Sequence, residues 1–290
     1  MLLDCRTPLA LERVVAADGH VLTYRVWRPN PAGAPTGTVV LLNGIMSHSA
    51  WFFPLVDALT DAGLVVVGAD RRGSGLDDID RGDAPTAKTL IDDAIAVIEA
   101  ERVPDRPLVL VGWCWGSVLA LNLLRPLGSR CNGLVMVAPG LFPSTAVASA
   151  AVAHEAAAAG APPDQPAILT PIVETMFTRG PYLEGFIRQD PRRLMRITPR
   201  FRALMGNLSM IALTRLGRLD LELLVLLATG DEATDNAAVL GALAPLDPAR
   251  VEVRETASGH AMQFDAPAFV TDAIVAFARR LGAPEPSLGA

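Results

Sequence analysis

From residue 20 onward the chain alternates between two kinds of apolar pattern. Short, nearly continuous runs rich in Val and Leu ("HVLTYRVWRP", "TVVLLNG", "LVVVGAD", "LVLVGW", "GLVMVAPG") trade places with longer stretches such as "WFFPLVDALTDAG", "TAKTLIDDAIAVIEAERV" and "VLALNLL". A continuous apolar run fits a strand buried on both faces, whereas apolar residues recurring every three to four positions fit an amphipathic helix. Their alternation predicts βαβ units on a mainly parallel sheet with helices on both faces, an α/β fold.

The rhythm breaks after Pro143. The next stretch is Ala-rich and then Arg-rich, reads as helices without a strand signal, and ends near Gly206. Alternation resumes with "ELLVLLATG", "RVEVRET" and a closing amphipathic helix "APAFVTDAIVAFARRLG". The expectation is one core made of residues 1–142 and 207–290, interrupted by a helical cap over 143–206. There is no internal repeat, and only the tail "GAPEPSLGA" reads as disordered.

Composition narrows the function classes. The 290 residues, 51% hydrophobic, suffice for a sizeable core. A net charge of −6 without an Arg stripe interleaved with aromatics argues against nucleic acid. The apolar runs are shorter than the roughly 20 residues of a membrane span. Three cysteines (Cys5, Cys114, Cys131) and charges in "MLLDCRTPLALER" point to a soluble protein of the reducing cytoplasm. No His-x-x-x-His or paired Cys/His spacing suggests a metal, no cofactor is expected, and "DRRGSG" (70–75) reads as a turn rather than a dinucleotide loop.

The candidate chemistry centres on "GWCWGS", residues 112–117, which lies between the strand "LVLV" and a helix. A G-x-nucleophile-x-G corner holds its middle residue in a strained turn at the carboxyl edge of a sheet, with the glycines letting strand and helix pass closely. Here that residue is Cys114. The expected chain order is then acid and histidine. Asp231 follows "LELLVLLATG", with Asp235 and Glu232 as rivals, and His260 follows "RVEVRETASG". Of the other histidines, His20 sits in a hairpin turn and His154 in the insertion, both read as solvated. His48 reads as a solvated loop residue or a pocket wall. Backbone N–H groups of Ile45 or Met46, after Gly44 in "LLNGIMSHS", and of Trp115 would form an anion site. Asn43, Gly44, Met46 and Trp113 are expected pocket residues.

These segments, together with "GLVMVAPGLFP", "ITPRF", "LLATGDEATDN" and "SGHAMQFDAP", resemble the lysophospholipase and monoacylglycerol-lipase branch of the α/β-hydrolase superfamily. The resemblance implies an esterase with a helical cap, its nucleophile on Cys114, acid on Asp231, base on His260 and oxyanion donors on Ile45 and Trp115. The chain departs from that pattern with Cys for Ser, Asn43-Gly44 for His-Gly and Trp113 for the common His. Dienelactone hydrolases also carry an elbow Cys, but lack such a cap. A Cys–His pair suits cleavage or transfer of the acyl group of a hydrophobic ester or thioester, free or presented by a carrier protein. A second reading is a lyase with His260 or the Cys–His dyad as base, similar to acetate-eliminating enzymes of polyketide and tetronate pathways. A third is a binding protein that has kept the pocket and lost catalysis.

Overall fold

A computed structural model of the chain describes residues 5–29 and 33–282. Its main sheet has eight strands: β1 (Leu9–Val15), β2 (Val21–Trp27), β3 (Gly37–Leu42), β4 (Leu64–Ala69), β5 (Leu108–Cys114), β6 (Gly133–Pro139), β9 (Glu222–Ala228) and β10 (Val251–Thr256). Two further strands, β7 (Ile168–Leu169) and β8 (Arg196–Ile197), pair with each other in the insertion. The sheet order is β1-β2-β4-β3-β5-β6-β9-β10. β2 runs antiparallel to β1 and β4, and all other pairs are parallel. This is the α/β-hydrolase architecture.

The apolar runs that read as two-faced strands are those. Every residue of β3, β4, β5 and β6 is buried, as helices covering both faces of a parallel sheet require. β1, at the edge, alternates in burial and leaves Leu9 and Leu11 exposed. Helices Phe53–Asp61 and Pro267–Gly282 pack together, and Ala87–Glu101 packs with Gly116–Leu127.

The insertion between β6 and β9 is mostly helical, with helices Thr145–Ala157, Glu174–Phe177, Pro181–Gln189 and Pro199–Leu216. It also holds the β7–β8 pair, where no strand was expected. Two-residue strands are too short to leave a periodic signal, and only Ile168↔Ile197 and Leu169↔Arg196 are in register. The last of these helices runs through Gly206 to Leu216 and packs on Gly116–Leu127, the helix that follows the elbow. Of the tail "GAPEPSLGA", all but Gly282 lies outside the described residues.

Candidate active site

β5 ends at Cys114, and the next helix begins two residues later at Gly116. Between them the backbone doubles back, and Cys114 has φ +55°, a left-handed conformation that non-glycine residues adopt at a cost. The flanking glycines allow it. A Cβ on Gly116 would stand 2.0 Å from the Leu42 carbonyl oxygen, and one on Gly112 would stand 2.6 Å from Ser117 Cα. The Ser117 hydroxyl donates to Gly112 O at 2.8 Å and closes the corner.

Asp231 and His260 arrive at the same sheet edge from the loops after β9 and β10. His260 Nδ1 donates to Asp231 Oδ2 at 2.8 Å. The other carboxylate oxygen accepts from the backbone N–H groups of Ala233 (2.7 Å) and Thr234 (3.1 Å), so the acid is fixed before it meets the ring. The two rivals lie elsewhere. Asp235 is exposed and caps helix Asn236–Leu243 through Ala238 N, and Glu232 is exposed. His260 Nε2 is buried, and the charge of the nearby Cys114 sulfur acts on the ring. Burial pulls the imidazole pKa down, but the Cys114 thiolate and the Asp231 carboxylate outweigh it and push the ring up to about 10.

The loop after β3 lies directly against the sulfur. A Cβ on Gly44 would stand 3.0 Å from Cys114 Cβ and 3.4 Å from Sγ. Ile45, Cys114 and Trp115 line a cavity of about 630 Å³ whose remaining wall comes mostly from the insertion. Gly44, Asn43, Met46 and Trp113, expected in the pocket, stand behind this wall instead. Asn43 Nδ2 donates to the carbonyls of Gly44 (2.9 Å) and Ser47 (2.6 Å), the Met46 carbonyl accepts from Leu194 N (2.8 Å), and Trp113 Nε1 donates to His260 O (2.9 Å). Volume alone does not mark the site, because a groove of about 920 Å³ beside Thr7 and Asp61 contains none of these residues.

The three other histidines are not solvated bystanders. His20 Nε2 meets Asp77 at 2.5 Å, His154 Nδ1 meets Leu169 O at 3.0 Å, and His48 is buried with Nε2 2.8 Å from Asp190 Oδ2. Asp190 also accepts from Trp51 Nε1 at 2.6 Å, tying the insertion to the loop after β3. Their partners are distant in sequence, which is why sequence pattern alone missed them.

Two residues of the site carried no readable signal. Phe177, in the insertion, packs on the imidazole with ring centroids 5.8 Å apart. Its carbonyl accepts from Ala261 N at 2.6 Å, and the Met176 carbonyl accepts from His260 N at 3.3 Å. Arg71, within "DRRGSG", is buried beneath the loop after β3, and burial holds its guanidinium down at about 10. The segment is the turn that was expected, but its side chains point inward. Among the described residues no group of His, Cys, Asp and Glu could hold a metal ion, and no helix is long and apolar enough to cross a membrane.

Comparison with known proteins places this arrangement. A lipase in an open form superposes with a TM-score of 0.79 at 22% identity, covering 96% of this chain and all of that one (100%). A soluble variant of monoglyceride lipase from Saccharomyces cerevisiae, in complex with a substrate analog, gives 0.78 at 16% identity over 97% and 96% of the two chains. The monoacylglycerol lipase of Paleococcus ferrophilus gives 0.74 at 18% identity over 94% and 99%. At such identities the likeness carries the fold and not the activity. An uncharacterized abhydrolase domain-containing protein of Dictyostelium discoideum is 25% identical over 139 residues, 48% of this chain, which spans only 14% of that protein's length. A family model described as serine aminopeptidase, S33, matches residues 33–259, from before β3 to the residue preceding His260. With that match over most of its length, on this sheet and this elbow, the chain belongs to the serine aminopeptidase S33 family of the α/β-hydrolase superfamily.

Proposed function

We propose that the protein cleaves or transfers the acyl group of a hydrophobic ester or thioester through a covalent intermediate on Cys114. One observation carries this reading: of the three aligned groups only the sulfur meets the cavity. Cys114 is 7% exposed and lines it, whereas the His260 and Asp231 side chains are both 0% exposed.

In the proposed cycle the Cys114 thiolate attacks the acyl carbonyl carbon, and the carbonyl electron pair moves to oxygen. The N–H groups of Ile45 and Trp115 hold that oxyanion. On collapse the carbon–oxygen or carbon–sulfur bond to the leaving group breaks, and His260, ion-paired with Asp231, supplies its proton from Nε2. Water, an alcohol, a thiol or an amine then attacks the thioester, gives its proton to His260 and releases the thiolate. The cavity wall supports an apolar acyl group: Val147, Ala151, Ile172, Met205 and Leu213 line it, and Val152 and Met210 are exposed at its rim.

Intact-protein mass spectrometry after incubation with p-nitrophenyl acyl esters and simple acyl thioesters tests the proposal. The expected result is a mass gain of one acyl group that Cys114→Ala abolishes. No adduct in the wild type, together with an active Cys114→Ser variant on the physiological substrate, would transfer the assignment to a non-covalent elimination.

A further inference from the structure

Arg71 is a buried cation with no carboxylate bonded to it among the described residues. One terminal nitrogen donates to Gly44 O at 2.8 Å, the other donates to Ile45 O, and Nε has no partner. The neighbouring carboxylate is committed elsewhere: Asp70 accepts from Arg25 at 2.8 Å, from Ser49 N at 2.6 Å and from Leu76 N at 3.0 Å. The guanidinium carbon lies 5.7 Å from the Trp115 ring centroid and 5.8 Å from that of Phe201. A desolvated guanidinium held by two carbonyls and two aromatic faces is an expensive arrangement for a turn whose other arginine, Arg72, pairs ordinarily with Asp93 at 2.9 Å.

The bonds have a directional consequence. There is no cis peptide bond among the described residues, and in a trans peptide the C=O and the following N–H point opposite ways. Tying the Gly44 carbonyl to Arg71 therefore turns the Ile45 N–H away from the guanidinium, and tying the Ile45 carbonyl does the same for Met46 N–H. The same guanidinium braces the Trp115 ring, and Trp115 carries the second donor. We infer that Arg71 is the positioning residue that sets both N–H donors of the anion site for the developing oxyanion. The inference rests on the covalent acyl reading above, and adds a requirement for one buried cation behind the loop.

Two reactions of the same sulfur separate this role from general support. Acylation by a p-nitrophenyl ester passes through a tetrahedral oxyanion, and alkylation by iodoacetamide does not. Both rates are measured at the high-pH plateau of their profiles, where the ionisation of Cys114 no longer limits either. Losing an oxyanion donor costs roughly 10²- to 10³-fold. Arg71→Met is expected to lose acylation by about that factor while its plateau alkylation stays within a few-fold of wild type. Arg71→Lys, which keeps the charge but cannot hold two carbonyls in one plane, is expected to recover only part of the loss. Should Arg71→Met fail to fold, Arg71→Lys carries the same comparison alone. Wild-type acylation rates in the variants, or equal losses in both reactions, overturn the assignment and leave the covalent reading standing. A wild-type protein that alkylates but takes up no acyl group overturns both.

Discussion

The two sides of Cys114 are held by different means. On the imidazole side the grip, beyond the pair with Asp231, comes mostly from backbone and aromatic groups: Met176 and Phe177 offer carbonyls to the backbone of His260 and Ala261, Thr178 Oγ1 donates to Asp265 at 2.5 Å, and Phe177 and Trp113 both pack on the imidazole. On the anion side the grip is ionic, a single guanidinium under the carbonyls of Gly44 and Ile45. The first kind of support costs stability when it is cut, because packed area and hydrogen bonds are lost together. The second costs rate, because it orients donors that matter only when charge develops.

The largest effect breaks the site itself. Cys114→Ala and His260→Ala are each expected to reduce acylation to background, by as much as ~10⁶-fold, measured as burst amplitude and adduct mass. Next comes the acid. Asp231→Asn leaves the shape but disturbs the ring's protonation, and acylation is expected to fall by up to about 10⁴-fold. Asp235→Asn, by contrast, keeps a good helix cap and should keep the rate; a rate collapse there would reassign the acid.

Phe177→Ala sharpens the comparison, since it attacks the imidazole side only. It should lower unfolding free energy by about 3–5 kcal/mol in urea titrations, as for other buried Phe truncations. It should also raise hydrolysis relative to transfer, because the imidazole is 0% exposed and the change opens a path for water. A variant that loses stability without changing that ratio would show that Phe177 only packs. The smallest effect is electrostatic. The thiolate's negative charge helps raise the His260 pKa, and a serine hydroxyl is uncharged at any accessible pH. Cys114→Ser should therefore lower the His260 pKa from its raised value, read by NMR titration of the ring. An unchanged titration would mean that Asp231 alone sustains the shift.

Much of this was legible without coordinates. The apolar runs of β3 to β6 named the sheet because strands buried on both faces leave continuous Val and Leu. Gly112 and Gly116 named the corner because only glycine fits where Leu42 O and Ser117 come so close. Asp231 stands at the end of β9, and it is this carboxylate, not that of Asp235 or Glu232, that lies 2.8 Å from the His260 ring. The pocket was less legible. Asn43, Met46 and Trp113 lie near the elbow in sequence or in the next loop, and nearness did not reveal which side of the wall each would occupy.

The sequence by itself determined the fold class and the chain order of Cys114, Asp231 and His260, because both are written in local periodicity and in residue types at strand ends. Tertiary structure alone decided what surrounds them. Phe177 reaches His260 across 83 positions of chain and Arg71 reaches Gly44 across 27. Contacts of that kind depend on how loops close over a sheet edge, and no local pattern of apolar and polar residues encodes which carbonyl a buried guanidinium will find.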